Sequence, residues 1–140
     1  MPTITGRFSG AVTAQSAVAI PDHPLHALVI AAVCGQQTSD DANWDKAKLT
    51  YYGMGDLVNG AGLQSGYFHN DHINGDTTDG SFEARVSMNG YGSKVEGTWT
   101  LTSGTGKYSG ITGGGTFQAR SINPITVDMT WDGEYSLPGT

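Results

Sequence analysis

A single closed eight-stranded antiparallel β-barrel is the all-β fold this sequence predicts, and three observations predict it. Glycine fills 21 of the 140 positions while charged residues make up only 14%, a balance that suits many turns and disfavours long helices. Between turn clusters lie eight stretches rich in Val, Thr, Tyr, Trp and Phe, the pattern of short sequential strands. Several of these alternate between apolar and polar residues, so one sheet face is apolar and the other wet. Strands joined in sequence by short turns leave two open edges unless the sheet closes on itself. A chain of 140 residues carries one such domain, spanning 1–140.

The first stretch, 3–20, sets Ile4, Gly6, Phe8, Gly10, Val12 and Ala14 on one face, with a bend expected at Gly10; Pro21-Asp22-His23-Pro24 ends it. The second, 25–36, is apolar on both faces through Leu28, Val29, Ile30, Ala31, Ala32 and Val33. Its β-branched residues and flanking Pro and Gly make it a strand covered on both sides, by a loop or a partner subunit. A polar stretch, 37–45, leads to the strand 46–58. Asn59-Gly60 then reads as a type I′ hairpin turn, whose two central positions need positive φ. The chain returns over 63–73, and Asn74 to Gly80 reads as a turn. Strands 81–88 and 94–102 follow, with Phe82, Ala84, Val86 and Met88 facing the same way as Val95, Gly97, Trp99 and Leu101. The Gly-rich segment 104–114 is expected to be a connection, with any helix confined to a turn or two around 106–111. Strands 116–122 and 126–137 complete the set. The last alternates Val127, Met129, Trp131, Gly133, Tyr135 and Leu137 against Asp128, Thr130, Asp132 and Glu134.

Composition excludes several functions. A net charge of −6 and a pI near 4.8 offer no surface for tracking phosphates, so no nucleic acid is expected as a partner. No apolar run approaches the roughly 20 residues of a membrane helix. The start, Met1-Pro2-Thr3-Ile4-Thr5-Gly6-Arg7, lacks the cationic and apolar regions of a signal peptide, and the single Cys34 cannot form an internal disulfide. A cytoplasmic protein is expected. Gly104, Gly106, Lys107 and Gly110 suggest a phosphate loop, but that motif needs Gly five residues before its Gly-Lys pair, where Leu101 stands. A metal site fails on direction, since His69 and His72 are three apart and point to opposite faces of a strand. His69 with Asp71 supplies only two ligands. A calcium loop begun at Asn70 puts Ser81 where a bidentate Glu belongs. Neither metal nor cofactor is expected.

Register points to a site. The 59–60 turn pairs residues whose numbers sum to 119, setting Tyr51 opposite Phe68, Leu49 opposite Asn70 and Ala47 opposite His72. Matching apolar faces across the next hairpin suggests a sum of 154, with Asn70 opposite Ala84 and His72 opposite Phe82; the third hairpin, at 181, adds Trp99. Three polar tips, Tyr51, Asn70 and His72, then fall inside the apolar interior, and His69 falls outside, near Arg85 and Glu96. His23 and His26 read as surface loop residues, and Asp40, Asp41 and Asp45 around Trp44 as a solvated loop able to close over a barrel mouth.

The run from Leu101 to Phe117, with Gly104-Thr105-Gly106-Lys107-Tyr108-Ser109-Gly110 and Gly113-Gly114-Gly115 before the next strand, resembles the strand connection of the allene oxide cyclase and dirigent-like β-barrel families. The likeness covers about the last third of the chain and the strand count. It implies an eight-stranded calycin-like barrel, often trimeric, with an apolar lumen used to cyclise or couple small hydrophobic molecules. It carries over no catalytic group: the cyclases' carboxylate sits early in the chain, and here the only acid among the first 39 residues is Asp22.

The function expected is therefore an isomerase, cyclase or lyase performing cofactor-independent proton chemistry on a hydrophobic molecule in the lumen. His72 would be the acid/base, with Asn70 and Tyr51 hydrogen-bonding a substrate oxygen. Phe68, Phe82, Trp99, Trp131, Tyr135 and Cys34 would line the ligand. The plain alternative for His72 is a core histidine with its hydrogen bonds satisfied. A lipocalin-like carrier that binds without turnover is the alternative function, and an assembly barrel with a filled interior is a third. The both-faced second strand adds the expectation of a homo-oligomer, dimer or trimer.

Overall fold

The computed structural model describes residues 3–89, 92–121, 123 and 125–138. Eight strands follow one another: β1 (Thr3–Ala19), β2 (His26–Ser39), β3 (Lys48–Val58), β4 (Ala61–Asp71), β5 (Thr77–Asn89), β6 (Gly92–Gly104), β7 (Thr112–Ser121) and β8 (Thr126–Ser136). Each is antiparallel to its neighbours, and β8 closes on β1, giving an eight-stranded barrel without sheet edges along its wall. A single 3-10 turn, Gly106–Tyr108, lies where the Gly-rich segment was expected to coil.

The alternation sorts the wall as the sequence implies. Ile4, Phe8, Phe82, Ala84, Val86, Trp99, Leu101, Val127, Trp131 and Tyr135 are all buried, while Glu83, Arg85, Glu96, Asp128 and Asp132 between them stay exposed. The Asn59-Gly60 turn has φ of 56° and 78°, the two positive values a type I′ turn requires. It fixes the predicted pairing of Leu49 with Asn70 and Tyr51 with Phe68.

Three expectations need correction. The β4–β5 hairpin pairs Asn70 with Thr78 and Phe68 with Gly80, so its residue numbers sum to 148 rather than 154. The turn is shorter than its polar sequence suggested: His72 N–H bonds the Asp76 carbonyl, Gly75 N–H bonds His72, and Asn74 Oδ1 accepts from Asp76 N–H. Thr77 to Gly80 thereby joins the strand. The offset is even, so every side chain keeps its face, but His69 meets Asp79 and Asp71 instead of Arg85 and Glu96. The register of β1 slips between Val12 and Ala14 rather than bending at Gly10. Strand β7 begins at Thr112, because Gly114 and Gly115 let adjacent backbones press close: a Cβ at Gly115 would collide with the Asp132 carbonyl.

The two ends of the barrel differ. At one end the loop 40–47 folds inward, burying Ala47 and packing the buried Trp44 in one cluster with Ile4, Leu101, Tyr108, Ile111, Trp131 and Tyr135. This is the floor. The other end, which carries the Asn59-Gly60 hairpin, the ends of β5 and β7 and the starts of β6 and β8, is the mouth.

Candidate functional site

Above the floor lies a cavity of about 490 Å³ that reaches the mouth at Gly60, Met88, Ser93 and Ser121. Its walls are Val33, Leu49, Phe68, Phe82, Trp99, Phe117, Met129 and Trp131, among other apolar residues. The inward positions of β3 run Leu49, Tyr51, Gly53, Gly55, Leu57, and what lies over the two glycines is a side chain rather than a neighbouring backbone. A Cβ on Gly55 would meet nothing closer than Leu57 Cγ at 3.3 Å, and one on Gly53 only the mobile end of Gln64, 2.7 Å away, before Phe82. Glycines elsewhere in the wall are there for contact: Gly66 would strike the Tyr52 carbonyl and Gly97 that of Glu83.

The structure separates the predicted site residues into three places. Tyr51, Asn70, Phe68, Phe82, Trp99 and Trp131 border the cavity. His72 and Tyr135 lie beneath it, inside the floor. Cys34 points to the outside: its neighbour Val33 takes the inward place, and Cys34 Sγ receives a 3.5 Å contact from the Thr50 hydroxyl on the outer face. A run that is apolar on both faces gave no parity by which to orient that cysteine.

His72 is held by a polar chain that accounts for both its nitrogens. Nδ1–H donates to the Asn43 carbonyl at 2.8 Å, and a carbonyl can only accept, so Nε2 is the bare nitrogen. The Thr78 hydroxyl donates to Nε2 at 2.9 Å. Thr78 in turn accepts from Asn70 Nδ2 at 3.2 Å, and Asn70 Oδ1 accepts from Gln37 Nε2 at 2.8 Å. The ring is 4% exposed and lies between Trp44 and Tyr108, with ring centroids 4.7 and 4.2 Å away. Burial lowers its pKa, with the Asn43 hydrogen bond acting the other way, so the neutral tautomer of the chain is the favoured one. No atom of His72 borders the cavity, and the amide of Asn70, which lies between, cannot relay a proton. The loop is anchored as firmly: the Tyr135 hydroxyl donates to Asp41 Oδ2 at 2.8 Å, and Lys107 Nζ donates to Asn43 Oδ1.

Tyr51 differs in kind. Its ring packs edge-on to Phe8 and Phe82, at 6.0 and 5.9 Å, the residue borders the cavity, and its hydroxyl has no hydrogen-bond partner among the described residues. Burial pushes its pKa far above the usual value, so the phenol stays protonated and can donate. Gln64 also borders the cavity, without a protein partner among the described residues. Sequence reasoning passed over Gln64, although its even number places it on the face of Phe68 and Asn70. Gln37 was missed because its strand was expected to end at residue 36. No group of three or more His, Cys, Asp or Glu able to hold a metal occurs among the described residues.

No family model matches the chain, and no curated protein matches it. Among solved structures, a pterocarpan synthase dirigent protein superposes with a TM-score of 0.53 over 96% of this chain and 88% of its own, at 14% sequence identity. The fold is a dirigent-like barrel. At that identity the likeness speaks to the architecture alone: the dirigent-like barrel supplies a closed wall and a lumen, and the residues lining the lumen are this chain's own.

Proposed function

We propose that this dirigent-like barrel binds one small hydrophobic molecule in its lumen. The observation that carries the reading is the open apolar cavity of about 490 Å³, beside which Gly53 and Gly55 present side chains rather than backbone to a substituted Cβ. Wall positions that pack would be filled in a barrel serving only assembly. The likeness to a protein described as a pterocarpan synthase fits a barrel that handles a small molecule. Between binding and turnover, the geometry favours binding. An isomerase, cyclase or lyase needs a proton carrier at the substrate, and His72 is walled off while Tyr51 holds its proton. Any chemistry here would rest on confinement and on hydrogen bonding by Tyr51.

The test uses the volume itself. Gly55→Leu fills the lumen without touching the floor. Mass spectrometry of the freshly purified protein under native conditions should show a bound small molecule on the wild type and none on Gly55→Leu, with both variants giving the same β-sheet circular dichroism. Equal ligand retention by the two would refute lumenal binding.

The partner proposed for the outer wall is a second copy of this chain. The loop expected as one cover for β2 folds into the floor instead, which leaves Leu28, Ile30, Met54, Leu63 and Tyr67 between 45% and 69% exposed on the outside of β2–β4. Apolar surface gathered in this way marks an interface.

A further inference from the structure

The geometry points to Tyr51 and Gln64 as a recognition pair for a single neutral oxygen function on the ligand, a proposal that rests on lumenal binding. Both belong to the β3–β4 hairpin and face the same stretch of cavity. Gln64 Nε2 folds over Gly53, two residues along from Tyr51, and beside the ring of Phe82, which Tyr51 touches edge-on. The two side chains bring one O–H donor and one carboxamide, which donates and accepts, to a wall they share with the apolar Leu57, Phe68, Phe82 and Val86. Neither has a hydrogen-bond partner among the described residues, in contrast to Asn70 and Gln37, which satisfy one another.

Charge narrows the ligand. Among the described residues bordering the cavity the only charged one is Arg120, an exposed residue at the mouth. A carboxylate placed at mid-depth would lose its hydration with no cation to meet it. A plain hydrocarbon would strip water from Tyr51 and Gln64 and return nothing. A ketone, lactone or similar carbonyl on a compact apolar body accepts from the phenol and from the amide N–H together, and an alcohol can donate to the Gln64 carbonyl while accepting from Tyr51. The ligand class is thus a neutral, mono-oxygenated, largely apolar molecule whose oxygen sits on the body of the molecule rather than at the mouth.

Three probes of one size test this: α-tetralone, its hydrocarbon tetralin, and tetralin carboxylate, titrated calorimetrically into wild type, Tyr51→Phe/Gln64→Leu and Gly55→Leu. The affinity ratio of ketone to hydrocarbon should shift toward the hydrocarbon by about tenfold or more in the double variant, the loss expected when a paired polar group is deleted, and the carboxylate should not bind in the lumen. Tetralin bound equally well by wild type and double variant, with an unchanged ketone ratio, overturns the recognition pair while leaving lumenal binding intact. Tight binding of the carboxylate, abolished by Gly55→Leu, overturns the ligand class. Failure of every probe to bind wild type, or binding that survives Gly55→Leu, overturns the lumenal reading on which the pair depends.

Discussion

Removing the His72 imidazole leaves the Asn43 carbonyl and the Thr78 hydroxyl facing a hole between Trp44 and Tyr108. His72→Ala should therefore destabilise the fold by about 2–4 kcal/mol, the sum of a lost buried ring and two orphaned polar groups, as read from urea denaturation. Affinity for a lumenal probe such as tetralin should change less than the stability does; a variant of wild-type stability with abolished binding would contradict the strut role. The presence of a histidine inside the barrel was legible in the sequence from the 119 register, which places it on the inner face with Asn70. Its chemistry was not, because the partners that neutralise it come from Thr78, hidden by a turn read too long, and from Asn43, in a loop read as solvated. A residue's face follows from local alternation; its protonation state follows from long-range neighbours.

At the scale of a strand, two kinds of glycine coexist in one hairpin, and they should respond oppositely to the same methyl group. Gly66→Ala drives a Cβ into the Tyr52 carbonyl and should cost about 1–3 kcal/mol. Gly55→Ala meets only the flexible Leu57 and should be neutral or stabilise by about 0.4–1 kcal/mol, by restricting the unfolded chain. Thermal melts of the pair check this, and equal effects would refute the division. The strand β2 makes the second prediction. Leu28 and Ile30 are 45% and 56% exposed on the outer wall, so the chain should sediment as a dimer or trimer at micromolar concentration, and Ile30→Lys with Met54→Lys should sediment as a monomer. A monomeric wild type would rule out the proposed pairing of copies. Strand number, order and faces were readable because alternation and turn residues are local signals; the β4–β5 register and the orientation of Cys34 were not, since each depends on which neighbour the strand chooses.

Across the whole molecule, three histidines pull the pH dependence of stability in two directions. His26 lies between Asp22 and Asp56, with Nδ1 2.6 Å from one and Nε2 2.5 Å from the other, and His69 lies between Asp79 and Asp71. Hydrogen bonds to the carboxylates raise both pKa values above 6.5, those to Asp22 and Asp79 foremost. Their stabilisation is complete below 6.5 and is lost as pH rises through the raised values. His72 has the opposite sign: its pKa falls below 6.5, so its contribution is present above 6.5 and is lost as pH drops toward the lowered value. Melting temperature should accordingly decline on both sides of a maximum, with His26→Gln flattening the alkaline limb and His72→Gln the acidic one. An alkaline limb identical in His26→Gln and wild type would count against the clamp. The sealed floor adds a constraint on traffic. With Trp44, Tyr108 and Tyr135 buried across one end, the lumen is a blind alley: nothing can thread through it, arrival and departure share one doorway, and an occupant longer than the alley must leave its tail in solvent. That tail is beyond the reach of the Tyr51 and Gln64 side chains, so bulky groups attached there, a sugar or a dye, should be carried along rather than refused.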